Sequence, residues 1–351
     1  MVKCKRGFSL AGNWLMEQCL GNKCVRCVIG TFRWVPVLFV WAIICWAYYT
    51  YVVAFCFGMV GPIGVKLILL IVFHILIFLF LWSNTQTVIS PIGRPPELFN
   101  LPHQIRTELG AATNEIEFKA VLERFARDRK IPIASRSNDG AVRCCLKCSC
   151  VKPDRCHHCS VCGHCVLKFD HHCPWVNTCI NFNNYKFFML FLGYGSVLCF
   201  FGFFTILPYF ISFWQRVDFS QTEVSRFLVF FLFFVAGLFG LSMGCLFFYH
   251  LFLISKNRST IESFRPPIFT HGADKCVYNL GVRRNFEEVF GSDKRKWLLP
   301  LFSSNGNGVA FRNSAEVFRS RYSPVSTIGH FTGSFSSEEE DYDHEMRTLL
   351  T

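Results

Sequence analysis

Four long runs without charged residues dominate the pattern of hydrophobic and polar positions. Each run has at least the ~20 residues that a helix needs to cross ~30 Å of hydrocarbon; the runs are Trp34–Val65, Leu67–Thr87, Phe187–Gln215 and Phe227–Ser255. The first run is too long for a cleaved signal peptide, and a basic tail precedes it. The pattern predicts a polytopic α-helical membrane protein with four transmembrane helices, roughly Val35–Met59, Leu67–Ser83, Phe187–Ile211 and Phe227–Phe252.

Cysteine is concentrated between the second and third runs. Ten of the 19 cysteines lie between Cys144 and Cys179, among several histidines. Two Cys-x2-Cys pairs, at 145/148 and 159/162, have the spacing that lets one tight turn present both sulfurs to a zinc ion. Two tetrahedral zinc ions use eight ligands, and this stretch offers more than eight. We therefore predict two zinc ions and a surplus of residues available for chemistry.

The segment Asp170-His171-His172-Cys173 has the residue types that would suit chemistry beyond zinc binding. A thiol becomes a nucleophile when an adjacent base takes its proton, and the base is usually oriented by a third group such as a carboxylate. Asp–His–Cys follows the acyl-transfer logic of the serine triad, with sulfur as the nucleophile. The alternative interpretation is that all of these residues bind zinc or support its ligands.

Charge and thiol content both predict the orientation in the membrane. The N-terminal tail carries six basic residues against the single acid Glu17, and basic flanks stay in the cytosol. Zinc thiolates also require a reducing compartment. Both termini and the loop Asn84–Lys186 are therefore predicted to be cytosolic. The tail thiols Cys4, Cys19, Cys24 and Cys27 are either lipidated or simply exposed.

Three further features leave alternatives open. Apolar residues at helical spacing in Glu117–Lys130 predict an amphipathic helix that packs on the zinc region or lies at the lipid surface. The cations Lys152 and Arg155 suit either the phosphates of a soluble carrier or anionic headgroups. The histidines at 74 and 250 lie in or near the membrane, where packing or interfacial roles are favoured over functional ones.

The cysteine-rich stretch resembles that of the DHHC protein S-acyltransferases, or palmitoyltransferases. The resemblance extends to four helices with this domain between the second and third, roughly Phe32 to Phe302, and is closest to the subgroup of vertebrate members two, fifteen and twenty. It rests on the spacing Cys145-x2-Cys148-x9-His158-Cys159-x2-Cys162-x2-Cys165-x4-Asp170-His171-His172-Cys173-x5-Cys179-x4-Asn184-x3-Phe188.

Several site assignments follow from the resemblance alone. It implies two structural zinc ions, one held by Cys145, Cys148, His158 and Cys165, the other by Cys159, Cys162, His172 and Cys179. It leaves Asp170, His171 and Cys173 for catalysis. The family's Thr-Thr-x-Glu motif appears as Ser259-Thr260-Ile261-Glu262, and its C-terminal motif places Asn285 in structural hydrogen bonds. Ser90-Pro91-Ile92-Gly93 departs from the family's Asp-Pro-Gly, so no role is carried over there.

The implied reaction moves a long-chain acyl group from acyl-CoA to protein cysteines through a Cys173 acyl-enzyme. Lys152 and Arg155 would contact the CoA phosphates, and Leu198 would line the acyl cavity. The partners are the bilayer, acyl-CoA and membrane-associated substrate proteins, with no nucleic acid. The different class kept as an alternative is a non-catalytic membrane zinc-binding adaptor or ubiquitin-ligase-like scaffold.

The expected location is a Golgi, endosomal or plasma membrane. Glu345-x3-Leu349-Leu350 has the form of a sorting signal, although so short a motif also occurs by chance.

The sequence divides into seven segments. The segments are a cytosolic tail (1–33), helices 1 and 2 (34–86), a linker with the amphipathic helix (87–143), the zinc domain (144–186), helices 3 and 4 (187–255), a cytosolic docking segment (256–302) and a disordered tail (303–351).

Overall fold

The computed structural model of the chain describes residues 30–215 and 223–312. Within these residues, four helices are long and apolar enough to span a membrane: Gly30–Phe57, Ile63–Ile89, Tyr185–Ser212 and Val224–Ser255. This confirms the predicted number and order of membrane helices. The tail cysteines, the link 216–222 and the acidic C-terminal signal lie outside the described residues.

The second membrane helix is longer at both ends than the apolar pattern predicts. Helix α1 (Val35–Tyr49) continues as a π-helix over Thr50–Phe57, and α2 covers Ile63–Ile89. The end of α2 contains buried polar residues, and the hydroxyls of Ser83 and Thr87 are satisfied because each donates to the carbonyl four residues earlier, at 2.8 Å. This polar end projects past the apolar span to meet the cysteine-rich region.

Two amphipathic helices, α3 (His103–Ala111) and α4 (Glu115–Asp128), lie between α2 and the cysteine-rich region. Asn114 caps α4 by accepting a hydrogen bond from the Glu117 amide. The apolar face of α4, including Leu122 and Phe125, is buried against Phe99 and residues of the cysteine-rich region. Of the two alternatives, packing is therefore confirmed.

The cysteine-rich region consists of three antiparallel hairpins made of very short strands. Two long membrane helices follow it, α5 (Tyr185–Gln215) and α6 (Glu223–Ser255), and they pack closely on each other. The hairpins pair β1 (Cys144–Cys145) with β2 (Cys150–Val151), β3 (His157–Cys159) with β4 (His164–Val166), and β5 (His171–Cys173) with β6 (Thr178–Ile180).

The C-terminal segment folds back against the membrane helices. It contains α7 (Thr260–Phe264), the hairpin β7 (Ile268–Phe269) and β8 (Gly272–Ala273), and α8 (Val282–Phe290). The buried Asn285 accepts from the Leu280 amide and donates to the Ser255 carbonyl, at 2.9 and 2.8 Å. These bonds tie α8 to the end of α6.

One part of the predicted disordered tail is instead packed. The hydroxyls of Ser303 and Ser304 donate to the last carbonyls of α8, at 2.6 and 2.7 Å, and Phe311 lies against the Arg155 guanidinium. The Lys186 ammonium donates to the Lys296 and Leu301 carbonyls and to the Ser303 hydroxyl. Placing the end of the folded segment at residue 302 was wrong, because these polar side chains satisfy exposed helix carbonyls.

Candidate active site and metal centres

Each predicted zinc cluster joins two neighbouring hairpins. In the first cluster, Cys145 and Cys148 come from the β1–β2 hairpin, while His158 and Cys165 face each other across β3 and β4. The His158 Nδ1 lies 3.5 Å from the Cys145 Sγ and 3.2 Å from the Cys148 Sγ. Tetrahedral zinc, with its usual bond lengths to sulfur and nitrogen, separates such ligands by about 3.5 Å. The four residues therefore fit a zinc ion.

The second cluster repeats the arrangement one hairpin further along the chain. Cys159 and Cys162 come from the β3–β4 hairpin, and His172 and Cys179 face each other across β5 and β6. The three sulfurs lie 3.8, 3.4 and 3.6 Å from the His172 Nδ1. These distances again fit tetrahedral zinc. Two zinc ions would thus join the three hairpins in series.

Strand β5 separates the metal ligand from the candidate catalytic residues. Successive side chains of a strand point to opposite faces. His172 is directed to the second metal cluster, so its neighbours His171 and Cys173 share the other face. A strand of three residues thus places a base and a thiol side by side, with a zinc ligand between them in the sequence.

Asp170 orients the ring of His171. The His171 Nδ1 donates to the Asp170 Oδ2 at 2.7 Å, which leaves the other ring nitrogen for proton exchange. Burial lowers the pKa of His171, but hydrogen bonds with Asp170 and Cys173 raise it, for a net pKa of about 9. Burial raises the pKa of Asp170, yet the His171 bond and charge bring it below its ordinary value. The carboxylate therefore stays ionised beside the histidine.

Helix α7 also holds Asp170. The Thr260 amide donates to the Asp170 Oδ1 at 2.8 Å, and the Thr260 hydroxyl donates to Oδ2 at 2.7 Å. The amide is available because it belongs to the first turn of a helix, where backbone donors have no partner within the helix. The Ser259–Glu262 capping box fixes the start of this turn.

Two residues further on, Glu262 joins the C-terminal segment to the zinc region. The Arg155 guanidinium donates to both Glu262 carboxylate oxygens, at 2.8 and 2.6 Å, and also donates to Asn257. Both partners are buried, at 3% and 4% exposure. Burial raises the pKa of Glu262, but the Arg155 charge brings it below its ordinary value. The pair is a buried, bidentate link between two distant segments.

The two cations predicted to contact CoA phosphates differ in their surroundings. Arg155 points inward, and its guanidinium also stacks on the Tyr278 ring at 4.6 Å. Lys152 is half-buried near the surface of the zinc region. Of these two cations, Lys152 is the one that could reach a phosphate without breaking a buried ion pair.

An apolar cavity of about 280 Å³ opens next to Cys173 and extends between the membrane helices. Cys173 and Trp175 line it, together with Phe188 of α5. Leu198 of α5, which the resemblance predicts to line the acyl cavity, is among the residues that line this one. Gly202 and Tyr51 also line the cavity, and the Tyr51 hydroxyl is hydrogen-bonded to Thr205.

Comparisons with known proteins agree with this geometry. Residues 139–266 match the family described as DHHC palmitoyltransferase. The chain is 46% identical to Palmitoyltransferase ZDHHC2 of Danio rerio over 278 residues, which is 79% of this chain and 76% of that protein. The chain belongs to the DHHC palmitoyltransferase family.

Other relatives support the subgroup that the sequence predicted. Palmitoyltransferase ZDHHC20-A of Danio rerio is 46% identical over 82% of this chain and 79% of its own length. Palmitoyltransferase ZDHHC15 of Xenopus laevis is 42% identical over 82% of this chain and 84% of its own length. The predicted resemblance to members two, fifteen and twenty is confirmed.

The sequence alone did not predict that His250 lies beside the DHHC residues. His250 on α6 is buried, and its ring centroid lies 6.0 Å from that of His171. Its Nδ1 is 3.0 Å from the Tyr185 hydroxyl. His74, the other membrane histidine, is bonded to Tyr48 and to a carbonyl of its own helix. An isolated ionisable residue in an apolar run was the only available signal, and it did not distinguish these two histidines.

Proposed function

We propose that this chain transfers a long-chain acyl group from acyl-CoA to cysteines of substrate proteins through a thioester on Cys173. One observation carries the proposal. The thiol of Cys173 shares one face of β5 with the ring of His171 and lines an apolar cavity within the membrane helices. A zinc-binding scaffold has no need of an oriented base beside a spare thiol, nor of an apolar cavity that this thiol lines.

In the first step, His171 takes the proton of the Cys173 thiol. The sulfur then attacks the carbonyl carbon of the acyl-CoA thioester, and the bond from that carbon to the CoA sulfur breaks. The CoA sulfur leaves with the proton from His171. Asp170 is a positioning residue here, because its hydrogen bond fixes the ring and its charge stabilises the protonated histidine.

In the second step, a cysteine of a substrate protein takes the acyl group. His171 accepts the proton of the incoming thiol, the substrate sulfur attacks the acyl carbon, and Cys173 leaves and recovers the proton. The same base therefore serves both half-reactions, as expected when a thioester is formed and consumed by equivalent chemistry. The acyl-enzyme is the intermediate common to both.

The cavity supplies the binding site for the acyl chain. Its lining consists mainly of aromatic and aliphatic side chains, which include Phe80, Phe191 and Leu198. Each buried methylene contributes about 0.8 kcal/mol, so acyl chains of different length should bind with measurably different affinity. We propose that Leu198 sets part of the cavity width.

The remaining proposals concern the CoA end of the acyl donor, the metal ions and the orientation of the protein in its membrane. Lys152 is proposed to meet a CoA phosphate, whereas an equivalent contact by Arg155 would require its pair with Glu262 to open. Two structural zinc ions are proposed for the clusters. We further propose that both termini and the zinc domain face the cytosol, and that the membrane is a Golgi, endosomal or plasma membrane. The segment boundaries are proposed as the sequence predicts them, apart from the longer C-terminal segment.

Labelling with a palmitoyl-CoA analogue tests the proposal. The purified wild-type chain should form an adduct that hydroxylamine releases, and Cys173→Ser should form none. Cys144→Ser is the matched control, because this half-buried cysteine lies in the same region and outside both metal clusters. Labelling of Cys173→Ser equal to that of Cys144→Ser would contradict the nucleophile, and a wild type that forms no adduct would favour the scaffold.

A further inference from the structure

A third group of metal-binding side chains surrounds the catalytic pair. Asp170, His171 and His250 each place one donor atom within 4.8 Å of the donor atoms of the other two. Asp170 and His250 are buried, at 2% and 1% exposure, while the side chain of His171 is 31% exposed and offers a route from solvent. The proposed reaction uses Asp170 and His171 and gives no role to His250.

The donor set matches a known class of metal site. Two imidazoles and one carboxylate, with a fourth position left open, hold zinc in many hydrolytic centres. Imidazole also suits the other late first-row divalent ions. A water molecule would take the fourth position of a tetrahedral zinc site.

Two of the three donors, Asp170 and His250, have unused capacity. The Asp170 carboxylate accepts three hydrogen bonds, one from His171 and two from Thr260, out of the four or so that two carboxylate oxygens can accept. Within the part of the chain that the structure describes, the His250 ring makes one hydrogen bond, between Nδ1 and Tyr185. Its Nε2 is therefore available as a ligand.

This group differs from the two structural clusters in its donor types. Each structural cluster offers three thiolates and one imidazole, whereas the third group offers two imidazoles and one carboxylate. Thiolates are the softer ligands and favour zinc, so a site without them should hold the ion less strongly. An ion at the third group should therefore bind more weakly than the structural ions and leave more readily.

We propose that Asp170, His171 and His250 form a third, reversible site for Zn²⁺, and that its occupation inhibits acyl transfer. An ion that holds a ring nitrogen of His171 stops that ring from exchanging protons. The inhibition rests on the proposed function, whereas the binding of the ion does not.

The first test measures binding. The full chain, purified with its two structural zinc ions, is dialysed against buffered free Zn²⁺, and bound zinc is counted. The wild type should take up a third equivalent. His250→Gln should bind it at least tenfold more weakly, because changes even outside the ligand set cost tenfold or more. His74→Gln is the matched control, since His74 is also a membrane-helix histidine bonded to a tyrosine hydroxyl.

An unchanged third equivalent in His250→Gln, or none in the wild type, would overturn the site. Retention of two zinc ions shows that a variant is folded. Asp170→Asn is the second variant for the binding measurement, and it should also weaken the third equivalent at least tenfold, since it removes the carboxylate charge while keeping the side-chain shape.

The second test measures acyl-enzyme formation over the same range of free Zn²⁺, with each variant compared with its own rate before zinc is added. The wild type and His74→Gln should lose activity as the third site fills, and a mild chelator should restore it while two zinc ions remain bound. His250→Gln should need at least tenfold more zinc. Binding that depends on His250 but leaves acylation unchanged would overturn the inhibition. A wild type that binds the third ion but forms no acyl-enzyme at all would instead contradict the proposed function.

Discussion

The two regions that meet at Cys173 are held together by different forces. Strands of two or three residues in the cysteine-rich region are too short to be stable alone, so their arrangement depends on metal clusters and buried polar pairs. The membrane helices depend on close apolar packing, such as the rings of Phe203 and Phe233 stacked 4.4 Å apart, and they still leave a cavity. Damage to the first region should therefore be all-or-none, and changes in the second should be graded.

The largest expected effect comes from removing a metal ligand. Structural zinc supplies on the order of 10 kcal/mol to a small metal-bound domain, more than most domains have to spare. His172→Ala should therefore lose the second zinc, the native arrangement of β5 and all acyl-enzyme formation together. Zinc content and labelling with a palmitoyl-CoA analogue measure these losses. His164→Ala serves as the control, because His164 is in the same region and outside both clusters. Full zinc content in His172→Ala would show that the ligand is misassigned.

The next effect comes from the buried ion pair. Glu262→Ala leaves the Arg155 charge buried without its partner, which typically costs 3–5 kcal/mol, whereas the exposed pair of Arg283 with Glu287 contributes about 0–1 kcal/mol. Thermal unfolding in detergent should therefore show a large loss of stability for Glu262→Ala and a small one for Glu287→Ala. Similar losses in both variants would argue against the buried link between the C-terminal segment and the zinc region.

A smaller effect is expected at the contact between α7 and Asp170. Thr260→Val removes one hydrogen bond to an ionised carboxylate, worth about 1.5–3 kcal/mol, and keeps the backbone bond from the same residue. Acyl-enzyme formation should slow by about tenfold or more while zinc content stays at two. Thr107→Val, which alters an exposed hydroxyl bonded within its own helix, is the control. An unchanged rate for Thr260→Val would mean that the hydroxyl does not help to orient Asp170.

The smallest and most graded effect is expected in the cavity. Leu198→Ala enlarges the cavity wall, so preference should shift towards longer acyl-CoA donors, with each added methylene worth up to about 0.8 kcal/mol. Val197→Ala is the control, since Val197 is 52% exposed on the neighbouring position of the same helix. Competition between acyl-CoA donors of different length measures the shift. An identical profile for both variants would remove Leu198 from the part of the cavity that limits length.

The sequence predicts those features that depend on local pattern. Uncharged runs predict the four membrane helices, because length and composition alone decide whether a segment can span the hydrocarbon. The helical spacing of Val121, Leu122 and Phe125 predicts the buried face of α4. Cysteine and histidine spacing predicts the ligand supply, since a knuckle is formed by residues that are close along the chain.

Long-range contacts escape this kind of prediction. The pair of Arg155 with Glu262 joins residues 107 positions apart, and His250 approaches His171 only because α6 packs beside the start of α5. The π-helix at Thr50–Phe57 likewise has no marker in an apolar run whose composition suits an α-helix equally well. Such features depend on tertiary packing, and the residues involved look ordinary until that packing is known.

The central claim is that β5 divides its residues between metal binding and catalysis. Zinc content and acyl-enzyme formation, measured together on Cys173→Ser, test it most directly. The account predicts two zinc ions per chain, a native fold and no hydroxylamine-labile adduct, because a serine hydroxyl is a far weaker nucleophile without its own activating environment. One zinc ion fewer than in the wild type would show that Cys173 is a ligand and would contradict the account.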